Sequence, residues 1–497
     1  MRRLLITGTH SGCGKTTVAC AVLAAFKARG LDVTAFKCGP DYIDPMFHRS
    51  VSGVKAYNLD PFFMEDERLA AHLAEYGSSE ISATCNEVIR ALSLLEGAMG
   101  YYDGIANTDK ASPYTVTKAT KTPAVLVADV RGMGNSLGAL LEGFVHYRGD
   151  SGIRGVIFNG INESRYPDMR RITESVGLEA FGWLPRNVSW QIESRHLGLT
   201  TAAEIPGIQE KLFALGRQAE NSIDVDSLLA LADSAPDLPI LPGGPKLRRV
   251  TPSVFLGESL LQQPEPPTLS GGPSHWQPES PPLPTGGGLR LAVARDEAFC
   301  FLYAENLDLL ERLGCELVFF SPIQDKALPP DLQGLYLCGG YPELYTQTLS
   351  DNTSMREDIR RVINRGLPTI AECGGFLYLH ETLDDYPMAA IISGKAWRTD
   401  RLQRFGYITL TAEQDNLLCK AGESIRSHEF HYWESDNSGD GFIAAKAGRE
   451  NAYPCIHAGE TLYAGFPHLY FLANPNFARS FVERMAAYKK SAAGVLP

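Results

Sequence analysis

Residues 8–17 read GTHSGCGKTT, and the short apolar run at residues 4–7 leads directly into them. An apolar run of this length reads as a strand, and the stretch after the loop, to about Lys27, reads as a helix. A glycine-rich loop between a strand and a helix turns its backbone amides inward around phosphate oxygens. The helix N-terminus then adds its partial positive charge. Gly12 and Gly14 give the loop its turn, Lys15 reaches the terminal phosphates, Thr16 offers a hydroxyl to magnesium, and Thr17 completes the G-K-T-T ending. The strict pattern places glycine at position 9, where Thr9 stands, and Gly8 lies one residue earlier. This loop predicts an ATP site and, with it, an α/β fold.

Outward from the loop, residues 33–36, 92–95, 124–127 and 155–158 are further apolar runs, each separated from the next by a longer stretch. Unbroken apolar runs of this kind indicate parallel strands covered on both faces. Functional residues are then expected at the carboxyl ends of the strands. Lys37, Asp41 and Asp44 lie in KCGPDYIDP after the second strand, and Glu96 and Asp103 lie in LSLLEGAMGYYDG. Magnesium-ATP needs oxygen ligands of this type. Thr16, Asp41 and Glu96 are therefore expected at the metal, with Asp44 and Asp103 in the same two loops. Lys37 can neutralise phosphate charge, and Asn159, at the end of GVIFN, can read the adenine edge.

Composition changes at LPGGPK (241–246), and PEPPTLSGGPSHWQPESPPLPTGGG (264–288) completes the change. Proline, glycine and serine leave little to bury. The expected division is a domain over 1–240, a linker over 241–288 and a second domain over 289–497, with residues 254–261 as a short docked segment. A second α/β pattern starts at 289–294, with a helix over 303–313 and strands at 317–320, 334–337 and 368–371.

In AECGGFLYL, Cys373 stands between the last of these strands and an apolar helix. A strand, a nucleophile, two glycines and a helix make an elbow that presents the side chain, with the helix N-terminus expected to lower the thiol pKa. The Gly374 N–H can hold an oxyanion, and the Gly339-Gly340 turn of CGGYPEL can supply a second donor. A cysteine nucleophile wants a base. His428, His431, His457 and His468 are the candidates. His468 is preferred because residues 461–466 read as a late strand that ends beside the elbow. An alternating H-E-F-H-Y strand would send His428 and His431 away from a common partner.

The chain has 497 residues and a formal net charge of -12, which argues against a nucleic-acid partner. Its ten cysteines include no C-x-x-C pair. Scattered thiols beside nucleotide chemistry read as a reducing, cytoplasmic setting. Residues 1–12 are too short of apolar residues for a signal-peptide core, and no stretch approaches a membrane span.

The stretches GTHSGCGKTT, KCGPDYIDP, LEGAMGYYDG, ARDEAFCFLYAENLDLLE, LYLCGGYPELY, AECGGFLYL and HEFHY, with the region around His468, occur in the order found in the cobyrinic acid a,c-diamide synthase family. The chain resembles that family along nearly its whole length. The resemblance implies a dethiobiotin-synthetase-like P-loop domain followed by a class I-type glutaminase domain, with Cys373 as nucleophile, His468 as catalytic histidine, and Asp44 and Asp103 at the substrate. The family pattern is usually like A-S-Y-x-H-x-H. Here Pro467 precedes the histidine and Tyr470 replaces the second one. No glutamate stands two residues after His468, so the third catalytic role is open.

The resemblance further implies glutamine, ATP and a polycarboxylate tetrapyrrole as partners, magnesium as the metal, and no tightly bound organic cofactor. The expected substrate is cobyrinate or hydrogenobyrinate, amidated at its a and c acetates. Sirohaem or nickel-sirohydrochlorin is the main alternative, and a partitioning-type ATPase with a degenerate second domain is another. The sequence leaves the oligomeric state open, with a homodimer as one option.

Overall fold

The computed structural model describes residues 1–51, 53–77, 91–186, 205, 207–238 and 288–493. The expected linker over 241–288, apart from Gly288, and the expected docked segment over 254–261 lie outside the described residues.

The N-terminal half is built on a seven-stranded sheet. Its order is Lys55–Asn58, Val33–Lys37, Leu92–Glu96, Arg2–Gly8, Ala124–Asp129, Ile153–Asn159 and Glu179–Leu184. Every pairing is parallel. The central strands are buried along almost their whole length, as continuous apolar runs require. Arg2–Gly8 lies between Leu92–Glu96 and Ala124–Asp129, so the loop after it opens at the crevice where strand order reverses. Helix Lys15–Ala28 leaves that loop and buries Val18, Val22, Leu23 and Phe26. It packs so closely on helix Ile208–Ser222 that a Cβ at Gly216 would lie 2.8 Å from the Ala24 Cβ.

The C-terminal half carries a six-stranded sheet of order Cys315–Phe320, Leu289–Ala294, Gly334–Leu337, Thr369–Glu372, Leu462–Gly465 and His457–Ala458. The first five are parallel and the last is antiparallel. A separate antiparallel sheet of five strands includes Phe442–Lys446, Arg404–Ala412, Ser424–His431 and His468–Leu469. Among the described residues no helix is long and apolar enough to cross a membrane.

The halves meet through aromatic side chains. Tyr42 stacks on Phe301 at 5.2 Å, Phe62 on Tyr407 at 4.3 Å and Phe63 on Tyr470 at 4.8 Å. Polar groups seal the contact. Buried Glu305 accepts from the Asn58 N–H at 2.5 Å, the Tyr407 hydroxyl donates to Asp60 at 2.9 Å, and Arg312 donates to Glu75 at 2.9 Å.

Candidate active site

The phosphate loop adopts the backbone its glycines permit. Gly12 has φ +81° and Gly14 φ +94°, both in the left-handed region. Gly14 has a second requirement: a Cβ there would lie 2.0 Å from the Asn159 side-chain nitrogen. That amide donates to the Cys13 carbonyl at 3.0 Å. Asn159 therefore clamps the loop, a different engagement from the adenine contact expected of it. The Lys15 ammonium rests on the His10 carbonyl at 3.2 Å, and burial lowers its pKa.

Thr16 donates to Glu96 Oε1 at 2.8 Å and to Asp44 Oδ1 at 3.2 Å. Lys37 is 3% exposed and pairs with both carboxylates, at 2.9 Å from Glu96. His48, fully buried, holds Glu96 Oε2 at 2.6 Å. Burial works to raise the Glu96 pKa, but Lys37 and His48 outweigh it and hold Glu96 below the usual carboxylate range. Asp44 is pushed up by burial and by the charges of Asp41 and Glu96. A hydroxyl and two carboxylates thus converge beside Lys37. This all-oxygen donor set fits magnesium. Two carboxylates stand differently from expectation. Asp44, expected at the substrate, lies beside Thr16. Asp41, expected at the metal, accepts from the N–H groups of Ile43 at 2.8 Å and Asp44 at 3.3 Å. Asp103 accepts from the Gly100 N–H at 3.0 Å and lines the same cavity.

Cys373 has φ +45° and ψ −101°, a conformation that a residue with a Cβ seldom adopts and that an elbow imposes. It lies between Thr369–Glu372 and the short helix Gly374–Tyr378. Its N–H is fixed on the Gly465 carbonyl at 2.8 Å. Both following glycines are needed for close approach. A Cβ at Gly374 would lie 3.0 Å from the Gly340 nitrogen, and one at Gly375 would lie 2.1 Å from the Leu337 carbonyl oxygen. Gly339 and Gly340 form a two-residue strand against Phe299–Phe301, where a turn was expected. Burial pushes the Cys373 thiol pKa up, and the charges of Glu343, Glu372 and Glu429 act the same way. The Gly374 N–H opposes them without reversing the shift. The direction is opposite to the lowering expected, because burial outweighs the Gly374 N–H.

His468 is 2% exposed and sits against Gly339, where a Cβ would come within 2.4 Å of its Cε1. Its Nδ1 lies 3.9 Å from Glu372 Oε2. Glu372 in turn accepts from the Leu469 N–H at 3.1 Å and the Tyr336 hydroxyl at 3.0 Å, and burial raises its pKa to about 8. Burial also holds the His468 imidazole neutral. His428 and His431 do point to opposite faces of Ser424–His431. His428, however, is not remote from His468. Their residues pair in register and their rings lie 6.3 Å apart. His431 stacks on Phe466 at 3.8 Å. Among the described residues the Cys373 thiol has no hydrogen bond to a histidine.

A cavity of about 1110 Å³ runs between the halves, from Lys15 and Thr16 at one end to His428 and His468 at the other. Residues 290–476 match the CobB/CobQ-like glutamine amidotransferase domain, and residues 4–199 match the CobQ/CobB/MinD/ParA nucleotide binding domain. The chain is 33% identical to the cobyrinate a,c-diamide synthase of Caldanaerobacter subterraneus subsp. tengcongensis, covering 98% of this chain and 99% of that protein. It is 34% identical to the enzyme of that name from Thermoplasma volcanium, covering 98% of each. It is also 34% identical to the one from Salmonella typhimurium, covering 96% of this chain and 97% of that protein. The chain belongs to the cobyrinate a,c-diamide synthase family. Its halves are the nucleotide-binding and glutamine amidotransferase domains of that family, and the protein is a glutamine-dependent amide-forming ligase.

Three residues at these sites went unassigned in the sequence. His48 stands four residues after Asp44 on helix Ile43–Ser50, a spacing that puts both on one face. Glu372 directly precedes the nucleophile. Tyr42, between Asp41 and Ile43, places its ring 5.1 Å from His468, and no local signal marks such a contact.

Proposed function

We infer that the protein uses ATP and glutamine to amidate the a and c acetate carboxylates of cobyrinate, or of its metal-free analogue hydrogenobyrinate. The observation that carries this reading is that one cavity is lined by the phosphate loop and by His468 of the glutaminase half, in a chain similar over its full length to enzymes of that name.

A carboxylate is a poor electrophile, and its oxide is a hopeless leaving group. Transfer of the ATP γ-phosphoryl group makes an acyl phosphate, from which phosphate can leave. The amides of the loop around Gly12 and Gly14, with Lys15, bind the nucleotide phosphates and stabilise their charge. Thr16, Glu96 and Asp44 would hold magnesium, which supplies charge neutralisation on the phosphates when bound. Lys37 and His48 keep Glu96 ionised and oriented.

In the other half both reactive groups rest neutral. His468 takes the Cys373 thiol proton as sulfur attacks the glutamine amide carbon. The N–H groups of Gly374 and Gly340 receive the oxyanion. Collapse to the thioester releases ammonia, with the proton delivered from His468, and water then frees glutamate. The ammonia crosses the cavity unprotonated and attacks the acyl phosphate. Glu372 lies near the imidazole, 3.9 Å from its Nδ1, without a hydrogen bond to it.

The test is incubation with glutamine, magnesium-ATP and a panel of cobyrinate, hydrogenobyrinate, sirohaem and nickel-sirohydrochlorin, read by product mass. Two successive amidations of cobyrinate or hydrogenobyrinate are expected. Amidation of another panel member alone would move the substrate assignment. Hydrolysis of ATP and glutamine with no amide on any of them would sink it.

A further inference from the structure

Apolar side chains that stay exposed inside a reaction cavity ask what covers them. Met99 and Phe405 remain 51% and 52% exposed, and both line the cavity. They come from opposite halves. The Phe405 ring is held edge to face by Phe430 at 5.6 Å and His428 at 6.4 Å. The cavity also exceeds the 300–1000 Å³ or so that a single drug-sized ligand fills, which leaves room for a second large ligand beside the nucleotide.

The charge of the same wall is positive. The Lys446 ammonium donates to the Phe405 carbonyl, so it is fixed next to that ring. Arg449 is exposed, lines the cavity and makes no ion pair among the described residues. Lys446 and Arg449 bracket a turn closed by the Arg449 N–H on the Lys446 carbonyl at 3.2 Å. Gly448 in that turn has φ +71° and presses on the synthetase half, where a Cβ would lie 2.7 Å from the Ala106 Cβ. The loop it presses on carries Met99. Met99, Ala106, Asn107 and Ala111 all have positive φ, a density of backbone strain that surrounding structure must hold in place.

We propose that Phe405 with Lys446 and Arg449, all from the glutaminase half, forms the recognition wall for the molecule amidated in the other half, opposite Met99. A flat apolar macrocycle covers Phe405 and Met99, and a peripheral carboxylate is received by Arg449 and Lys446. The glutaminase half then selects the acceptor as well as supplying ammonia. This rests on the tetrapyrrole reading above.

The test uses the full-length enzyme with ammonium chloride as nitrogen source and cobyrinate varied at saturating magnesium-ATP. Phe405→Ala and Arg449→Gln should each raise the cobyrinate KM by about tenfold or more, as loss of one such contact does. The KM for ATP should move by less than about twofold, because additivity holds for separated contacts. Arg449→Lys should recover part of the loss. Equilibrium titration of cobyrinate absorbance should show the same weakening without turnover. An unshifted cobyrinate KM in both variants, or equal shifts for cobyrinate and ATP, would overturn the wall. Wild-type enzyme that amidates no tetrapyrrole would sink the substrate reading and the wall with it. Wild-type turnover with unshifted variants would sink the wall alone.

Discussion

Gly339→Ala is a one-atom probe of the base. Gly339 is not in the left-handed backbone region, so alanine brings no conformational strain there. What it brings is a methyl group 2.4 Å from His468 Cε1, with the Phe301 Cβ also near at 3.3 Å. Carbon atoms in contact stay about 3.5 Å apart, so the imidazole must retreat by roughly 1 Å. A displacement of that size costs a catalytic group on the order of 10²-fold, or about 2.7 kcal/mol of transition-state stabilisation. Glutamate release at saturating ATP and tetrapyrrole should fall by that factor. Amidation with ammonia by the same preparation should stay within about threefold, since the two reactions use separated sites. Glutamate release near the wild-type rate would refute the assignment of His468 to the chemistry. Equal loss of both reactions would point to damage to the fold.

Cys373→Ala should abolish glutamine use and retain ammonia-dependent amidation, followed by product mass; loss of both in a folded variant would sink the nucleophile assignment. Lys15→Ala should eliminate amidation with either nitrogen source, and a near wild-type rate with ammonia would remove the loop from the ATP site. His468→Asn should slow both glutaminase turnover and alkylation of Cys373 by a glutamine analogue by about 10²–10⁴. His428→Asn should slow them far less, and the reverse order would transfer the role to His428. Glu372, whose pKa is raised to about 8 from an ordinary 4.5, favours the folded state fully below its unfolded value, and that contribution is lost as pH rises through 8. Glu372→Gln should therefore flatten the fall of the urea midpoint between pH 5 and pH 8. Equal slopes for variant and wild type would show that the carboxyl is not held protonated.

Features encoded by local backbone demands were legible in the sequence. Gly12 and Gly14 announce a loop that only glycine can form, and E-C-G-G announces a strained elbow. The parallel strands were found to within a residue or two at most ends because buried strands are continuous apolar runs. Lys55–Asn58 and Glu179–Leu184 were not found, since KAYN and EAFGWL mix polar with apolar residues. Of the strands over 404–446 only the H-E-F-H-Y part of Ser424–His431 was read as one, and Arg404–Ala412 and Phe442–Lys446 were not. Side-chain direction was the harder quantity. Asp41 and Asp44 both follow the second strand, but one accepts from the Ile43 and Asp44 N–H groups and the other reaches Thr16. Glu372 meets His468 only because Thr369–Glu372 and Leu462–Gly465 lie side by side in the sheet, a juxtaposition set by topology far along the chain.

The seam of Tyr42, Phe62 and Phe63 against Phe301, Tyr407 and Tyr470, with Glu305 buried across it, has a consequence for what counts as one enzyme. A linker raises the effective concentration of two partners but adds no contact between them. Here the contacts exist without it. A protease cut within residues 241–287 should leave the halves co-eluting as a two-chain complex, and separately expressed halves should find each other. For evolution and engineering alike, fusion of this glutaminase to this synthetase is then a convenience of stoichiometry, and the unit of inheritance could equally be two neighbouring reading frames.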